Sequence, residues 1–170
     1  MNWKRKAFIQ NAIAKLPSDL SYRLYYFVQR RFGGLRRPYP FSRLRATAEI
    51  LARIREQGRS AESRAFLEVG TGPRLNLPIA LWLCGASEIW TVDLNPYLRP
   101  ELVAEDVAYI RRHRQEIQAL FQPYASPSLF RERLARLETA EGMRLDGLLD
   151  MMHIRYHAPG DAAQLDLPAQ

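Results

Sequence analysis

The sequence predicts an α/β fold built on a short parallel sheet, and three observations lead there. Apolar runs at 65–69 and 89–92 have the length of strands rather than helices, and Ile154-Arg155-Tyr156 reads as a third. The stretches between them carry helical spacing of apolar residues. The first run leads into Gly70-Thr71-Gly72, then a helical stretch, then a second run that ends in Asp93. Strand, tight turn, helix and strand in that order make a parallel pair, because two parallel strands need a crossover between them.

The elements follow in chain order. Phe8, Ile9, Ala12 and Ile13 lie on one side of a helix expected over residues 4–15, with basic residues opposite. Pro17 ends it, and Ser18 or Asp19 caps a second helix carrying Leu20, Leu24, Phe27, Val28 and Arg31 at helical spacing. Tyr22, Tyr25 and Tyr26 widen its apolar face, and Gly33-Gly34 stops it. Such a helix either packs on a neighbour or lies on an anionic surface. Residues 35–41 hold Pro38 and Pro40 and read as an extended connector. Ser42 caps a third helix to about Gln57, with Leu44, Ala48, Leu51 and Ile54 inward and Gly58 at its end.

The first strand, Ala65 to Val69, comes next and reads as a short buried strand. After the glycine turn, Asn76 is placed to cap a helix with Pro78 in its first turn, where a missing N–H does no harm. Leu77, Ile79, Ala80, Leu81 and Leu83 make it apolar, and Gly85 ends it. Ile89-Trp90-Thr91-Val92 forms the second strand. About sixty residues then separate Asp93 from Ile154, too many for one crossover. Pro100 starts a helix to about Phe121, and residues 122–125 break it. Ser126-Pro127 starts another to about Glu141, with Leu129, Phe130, Leu134 and Leu137 on its stripe. Residues 145–152 add a further turn or two before the third strand. The insertion, about 98–152, is either a lid over the carboxyl ends of the strands or a layer that pads the fold.

Composition sets the outer bounds. The 170 residues are 47% hydrophobic and 25% charged, enough for one core. The one cysteine, Cys84, excludes an internal disulfide and falls in an apolar helix, as a buried, inert thiol would. No run of 18 apolar residues occurs, and the basic N-terminus lacks a secretion signal's apolar core, so a cytoplasmic protein is expected. The net charge of +7 is uneven. Residues 1–64 hold 15 Lys and Arg against 4 Asp and Glu, and the remainder hold 10 against 14. The basic helices therefore suit an acidic partner, nucleic acid or a membrane surface.

The glycine turn carries the chemistry. Glycines reach backbone angles closed to other residues and let a ligand approach the main chain. Asp93 follows Gly72 by 21 positions (93 − 72), where an acid accepts hydrogen bonds from ribose hydroxyls. A dinucleotide fingerprint requires a third glycine at position 75, and that residue is Leu75. Leu67-Glu68-Val69-Gly70-Thr71-Gly72 instead resembles the first motif of class I S-adenosylmethionine (SAM)-dependent methyltransferases. There the turn wraps the methionine part of the cofactor, which bears no phosphate. Thr91-Val92-Asp93-Leu94-Asn95 resembles the second motif, and residues 160–168, starting Gly160-Asp161-Ala162, resemble the third. The three motifs cover less than half of the chain.

The resemblance implies a Rossmann-like α/β domain that binds SAM. Glu68 would orient the methionine end, with Gly70, Thr71 and Gly72 around it. Asp93 and Leu94 would lie at the ribose, and Asp161 and Ala162 at adenine. Residues 1–64 are then a basic helical region, and 65–170 a partial cofactor-binding domain. Only three strands can be counted where the family has about seven, so the sheet is expected to be incomplete. The fourth strand, which carries residues near the transferred methyl, would begin where the sequence stops. Three explanations stand: a portion of a longer protein, inactive alone; a chain that pairs with a copy through the open edge of its first strand; or a degenerate relative. The catalytic residues and the methyl acceptor cannot be named from these residues.

Metal chemistry is not expected. His153 and His157 are four apart, but they flank a strand, and His113 stands alone on a charged helix face. No Ser-His-Asp or Cys-His arrangement emerges. Two readings from different classes stay open: the cofactor-binding portion of a methyltransferase acting on an unidentified acceptor, and a non-catalytic module whose basic helices bind an anionic partner. A nucleotide-dependent oxidoreductase is disfavoured by Leu75.

Overall fold

The computed structural model describes residues 17–35 and 40–165, except for the side chains of Ser18 and Asp19. The helix expected over 4–15, connector positions 36–39, and Asp166, Leu167 and Pro168 of the third motif lie outside the described residues. The chain divides into two compact units, residues 1–38 and 39–170.

In the first unit, helix α1 spans Ser18–Phe32. Pro17 occupies the N-cap, so neither Ser18 nor Asp19 caps the helix as expected. Pro17 has no N–H to satisfy, and its carbonyl accepts from the Ser21 N–H at 2.8 Å. The helix closes with the Gly33 N–H on the Gln29 carbonyl at 3.1 Å.

In the second unit the fold is α/β, with an open sheet of three parallel strands. They are β1 (Ala65–Val69), β2 (Glu88–Val92) and β3 (Ile154–His157), in the order β1-β2-β3. Register assigns the faces. Phe66, Ile89 and Ile154 pair across the sheet, as do Glu68, Thr91 and Tyr156. This row faces the core, where Ile89 and Ile154 are buried. Leu67, Trp90 and Arg155 share the opposite face with Val69, Val92 and His157. On that face Leu67 is 43% and Val69 68% exposed.

Helix α2, Phe41–Glu56, buries Leu44, Thr47, Ala48 and Leu51. It starts after Pro40, whose carbonyl accepts from the N–H groups of Arg43 and Leu44, so Ser42 sits inside the helix and does not cap it. Helix α3, Asn76–Leu83, is buried on nearly every side, as a helix without a polar face must be. Leu75, not Asn76, holds its N-cap, and the Asn76 Oδ1 finds no partner. Gly85 turns the chain at φ +104°. The Arg133 guanidinium donates to the Trp82 carbonyl and, at 2.8 Å, to the Ala86 carbonyl, closing the far end of α3.

The insertion contains α4 (Pro100–Arg112), α5 (Arg114–Phe121), α6 (Pro127–Thr139) and α7 (Leu145–Met151). One long helix was expected to Phe121, and it is broken at His113. The apolar stripe explains the break. Val103, Val107 and Ile110 would be followed at helical spacing by Arg114, a charge in the core. The break turns Arg114 outward, 3.4 Å from Glu138, while Ile117 and Phe121 stay buried. Leu102, Phe130, Leu134 and Leu137 are buried as well. The insertion therefore supplies a core layer of the unit.

Candidate functional site

Three loops meet at the carboxyl ends of the strands. The loop after β1 begins with Gly70 at φ +91° and Gly72 at φ +66°. Side chains rarely adopt this left-handed region, so the turn needs glycine at both positions. A Cβ at either would meet no atom within 4 Å. The turn thus presents bare backbone to open space, which is what close approach by a ligand requires.

Asp93 ties the neighbouring loop to this turn. Its Oδ2 accepts from the Gly72 N–H at 2.8 Å, and its Oδ1 accepts from the Asn95 N–H at 3.1 Å. A carboxylate offers about four lone-pair positions, so both oxygens retain acceptor capacity. The Gly70 N–H donates to the Val92 carbonyl at 2.8 Å, extending the ladder into the turn. The loop after β3 joins through Gly160, whose N–H donates to the Asp93 carbonyl at 2.9 Å.

Beneath the turn runs a hydroxyl chain. Thr91 Oγ1 donates to Glu68 Oε2 at 2.6 Å and lies 2.6 Å from Thr71 Oγ1. Thr91 has one hydroxyl proton and gives it to Glu68, so Thr71 is the donor to Thr91. Burial pushes the Glu68 carboxyl up to about 7; the Thr91 hydrogen bond opposes the rise, and the charge of Asp93 adds to it. Thr71 and Thr91 are both buried.

Of the residues named from sequence, Glu68, Gly70, Thr71, Gly72 and Asp93 converge on the ends of β1 and β2. Leu94 follows directly and is 69% exposed. Asp161 stands apart in its bonding: it is exposed, and its Oδ1 accepts from the Ala163 N–H at 2.9 Å, capping the 3-10 turn Ala162–Gln164. No group of His, Cys, Asp and Glu suited to a metal occurs among the described residues. Cys84 is fully buried, and burial pushes its thiol up to about 12.

An ion cluster that the sequence reading did not single out fixes the glycine loop from behind. Arg74 donates to Asp106 and, at 3.0 Å each, to Glu105 and to the Leu102 carbonyl, all on α4. Arg99, just before α4, donates its N–H to the Pro73 carbonyl at 3.2 Å. Asp106 is fully buried. Burial pushes its carboxyl up to about 7 against the pull of Arg74. A signal was available in the sequence. Asp106 stands among Leu102, Val103, Val107 and Ile110, and an acid flanked by core positions implies a buried cation. Comparison with protein-family profiles, curated proteins and solved structures finds no match.

Proposed function

We propose that this chain is the SAM-binding portion of a SAM-dependent methyltransferase. The observation that carries the reading is the join between the glycine turn and Asp93. Two left-handed glycines face open space, and the acid at the end of the adjacent strand is locked to the second of them. A cofactor lying across that join would meet bare backbone on one side and a carboxylate on the other. Gly70, Thr71 and Gly72 would flank its methionine part, Glu68 would orient that end from below, and Asp93 would accept from the ribose hydroxyls. Asp161 and Ala162, on the loop after β3, would lie at adenine. The cofactor brings the reactive methyl, and the protein's task is to hold and orient it.

Leu75 argues against a dinucleotide. It stands at the third glycine position of that fingerprint, where glycine lets helix and strand pack closely, and its side chain is wholly buried in that place. Calorimetric titration tests the proposal, with SAM expected to bind and NAD to give no heat. Asp93→Asn keeps one acceptor oxygen for the Gly72 N–H and loses the charge. A hydrogen bond to a charged group is worth about 1.5–3 kcal/mol, so the SAM dissociation constant should rise roughly 10- to 100-fold. An unchanged constant removes Asp93 from the site, and absence of SAM binding to the parent chain ends the proposal.

A further inference from the structure

The charge of this protein is concentrated in its first unit. Residues 1–38 hold nine Lys and Arg against the single acid Asp19, a net of +8. Residues 39–170 hold the other 16 basic and 17 acidic residues, a net of −1. Within that basic unit α1 displays large apolar side chains. Leu20, Leu24 and Phe27 follow one another at i, i+4 and i+7 and are 53%, 39% and 59% exposed. Phe32 at the helix end is 67% exposed, and Tyr25 is 38% exposed. Exposed Arg31 continues the row one turn beyond Phe27, and exposed Arg23 flanks it.

We propose that α1 lies on the surface of an anionic lipid bilayer, with Leu20, Leu24 and Phe27 inserted at the headgroup boundary and Arg23 and Arg31 on lipid phosphates. Three features select this occupant. The helix is too short and too polar to cross a bilayer, and no described helix meets that requirement. At 15 residues it is about 22 Å long, enough to lie in the interface plane. Nucleic acid would use the cations and leave the leucine and phenylalanine row in water, whereas a bilayer surface takes both. The long arginine side chains reach outward to phosphate while their stems stay among acyl chains.

This inference does not rest on the cofactor reading, and its test is separate from it. The full chain is sedimented with phosphatidylcholine vesicles and with vesicles containing about one third phosphatidylserine, each at low and high salt. Binding to the anionic vesicles alone, weakened by salt, is expected. Leu24→Ser with Phe27→Ser removes the apolar row at exposed positions and should lower partitioning by on the order of tenfold. Arg23→Gln and Arg31→Gln should each lower it roughly fivefold. Circular dichroism and thermal unfolding of each variant report whether the fold is intact. Equal binding to both vesicle types, no binding at low salt, or variants that bind like the parent would overturn the proposal. Preference for a single-stranded or duplex oligonucleotide, indifferent to the Leu24 and Phe27 changes, would overturn it in favour of nucleic acid.

Discussion

Glu68 shows how one buried carboxyl couples the site to pH. Its folded value of about 7 lies above the ordinary 4.5, so the folded protein holds a proton that the unfolded chain releases. The favourable contribution is complete below about 4.5 and is lost as pH rises through 7. Glu68→Gln is uncharged and still accepts from the Thr91 hydroxyl. The variant should match the parent in stability near pH 5 and exceed it near pH 8 by on the order of 2 kcal/mol. Denaturant unfolding at the two values measures this, and a parallel shift at both would assign the effect to packing instead. Asp93 and the glycines were legible in the sequence because position alone defines them: an acid at a strand end, and two glycines at a strand-to-helix turn. Thr91 was not. A threonine inside a strand is ordinary β-sheet composition, and its partner Glu68 lies 23 residues away. Asp161 shows the reverse: it fits the third motif in sequence, yet its Oδ1 caps its own turn.

At the scale of elements, α4 and the glycine loop form one mechanical piece through Arg74. Removing one partner of a buried ion pair strands the other charge, at about 3–5 kcal/mol. Arg74→Met should therefore destabilise the protein by about 3 kcal/mol near pH 8, where Asp106 is ionised. Near pH 5 the cost should shrink, because burial holds the Asp106 carboxyl at about 7 even beside Arg74, so at that pH it carries a proton with or without its cation. Arg74→Met combined with Asp106→Leu should recover most of the loss, and a double-mutant cycle by chemical denaturation reads the coupling. If the double variant is no better than Arg74→Met alone, the Leu102 carbonyl contact is the greater part of the arginine's role. Element type was legible where periodicity was strong. The ranges of β1 and α6 and the start of α4 follow from apolar runs and from prolines at first helical positions. Helix starts were misplaced wherever a side-chain cap was assumed. Pro17, Pro40 and Leu75 stand at N-caps, and their carbonyls accept the opening backbone bonds. The break at His113 depends on where Arg114 would fall in three dimensions, which a linear stripe conceals.

At the scale of the molecule, one face of strand β1 is bare. Parallel sheets are ordinarily covered on both faces. Here Phe66, Ile89, Ile154 and Tyr156 face helices; on the other face Val92 of β2 is buried, while Leu67 and Val69 of β1 are exposed. Among the described residues strand β1 pairs only with β2, so its other backbone edge has no strand beside it there. The open edge was anticipated from a count of three strands, whereas the one-sided exposure of β1 needed the register. The two faces predict opposite responses to substitution. Ile89 is fully buried against the helices, and Ile89→Ala removes methyl groups from a packed core, at about 2–5 kcal/mol. Val69 has little to lose, being 68% exposed. Val69→Lys should change the unfolding free energy by no more than about 0.5 kcal/mol. It also places a charge on an open edge, a recognised deterrent to strand-to-strand association. Light scattering across a concentration series should therefore show the lysine variant no more associated than the parent, with unfolding curves that superimpose. A loss of stability at Val69→Lys comparable with that of Ile89→Ala would mean that this face of β1 is packed, and its exposure would have to be abandoned.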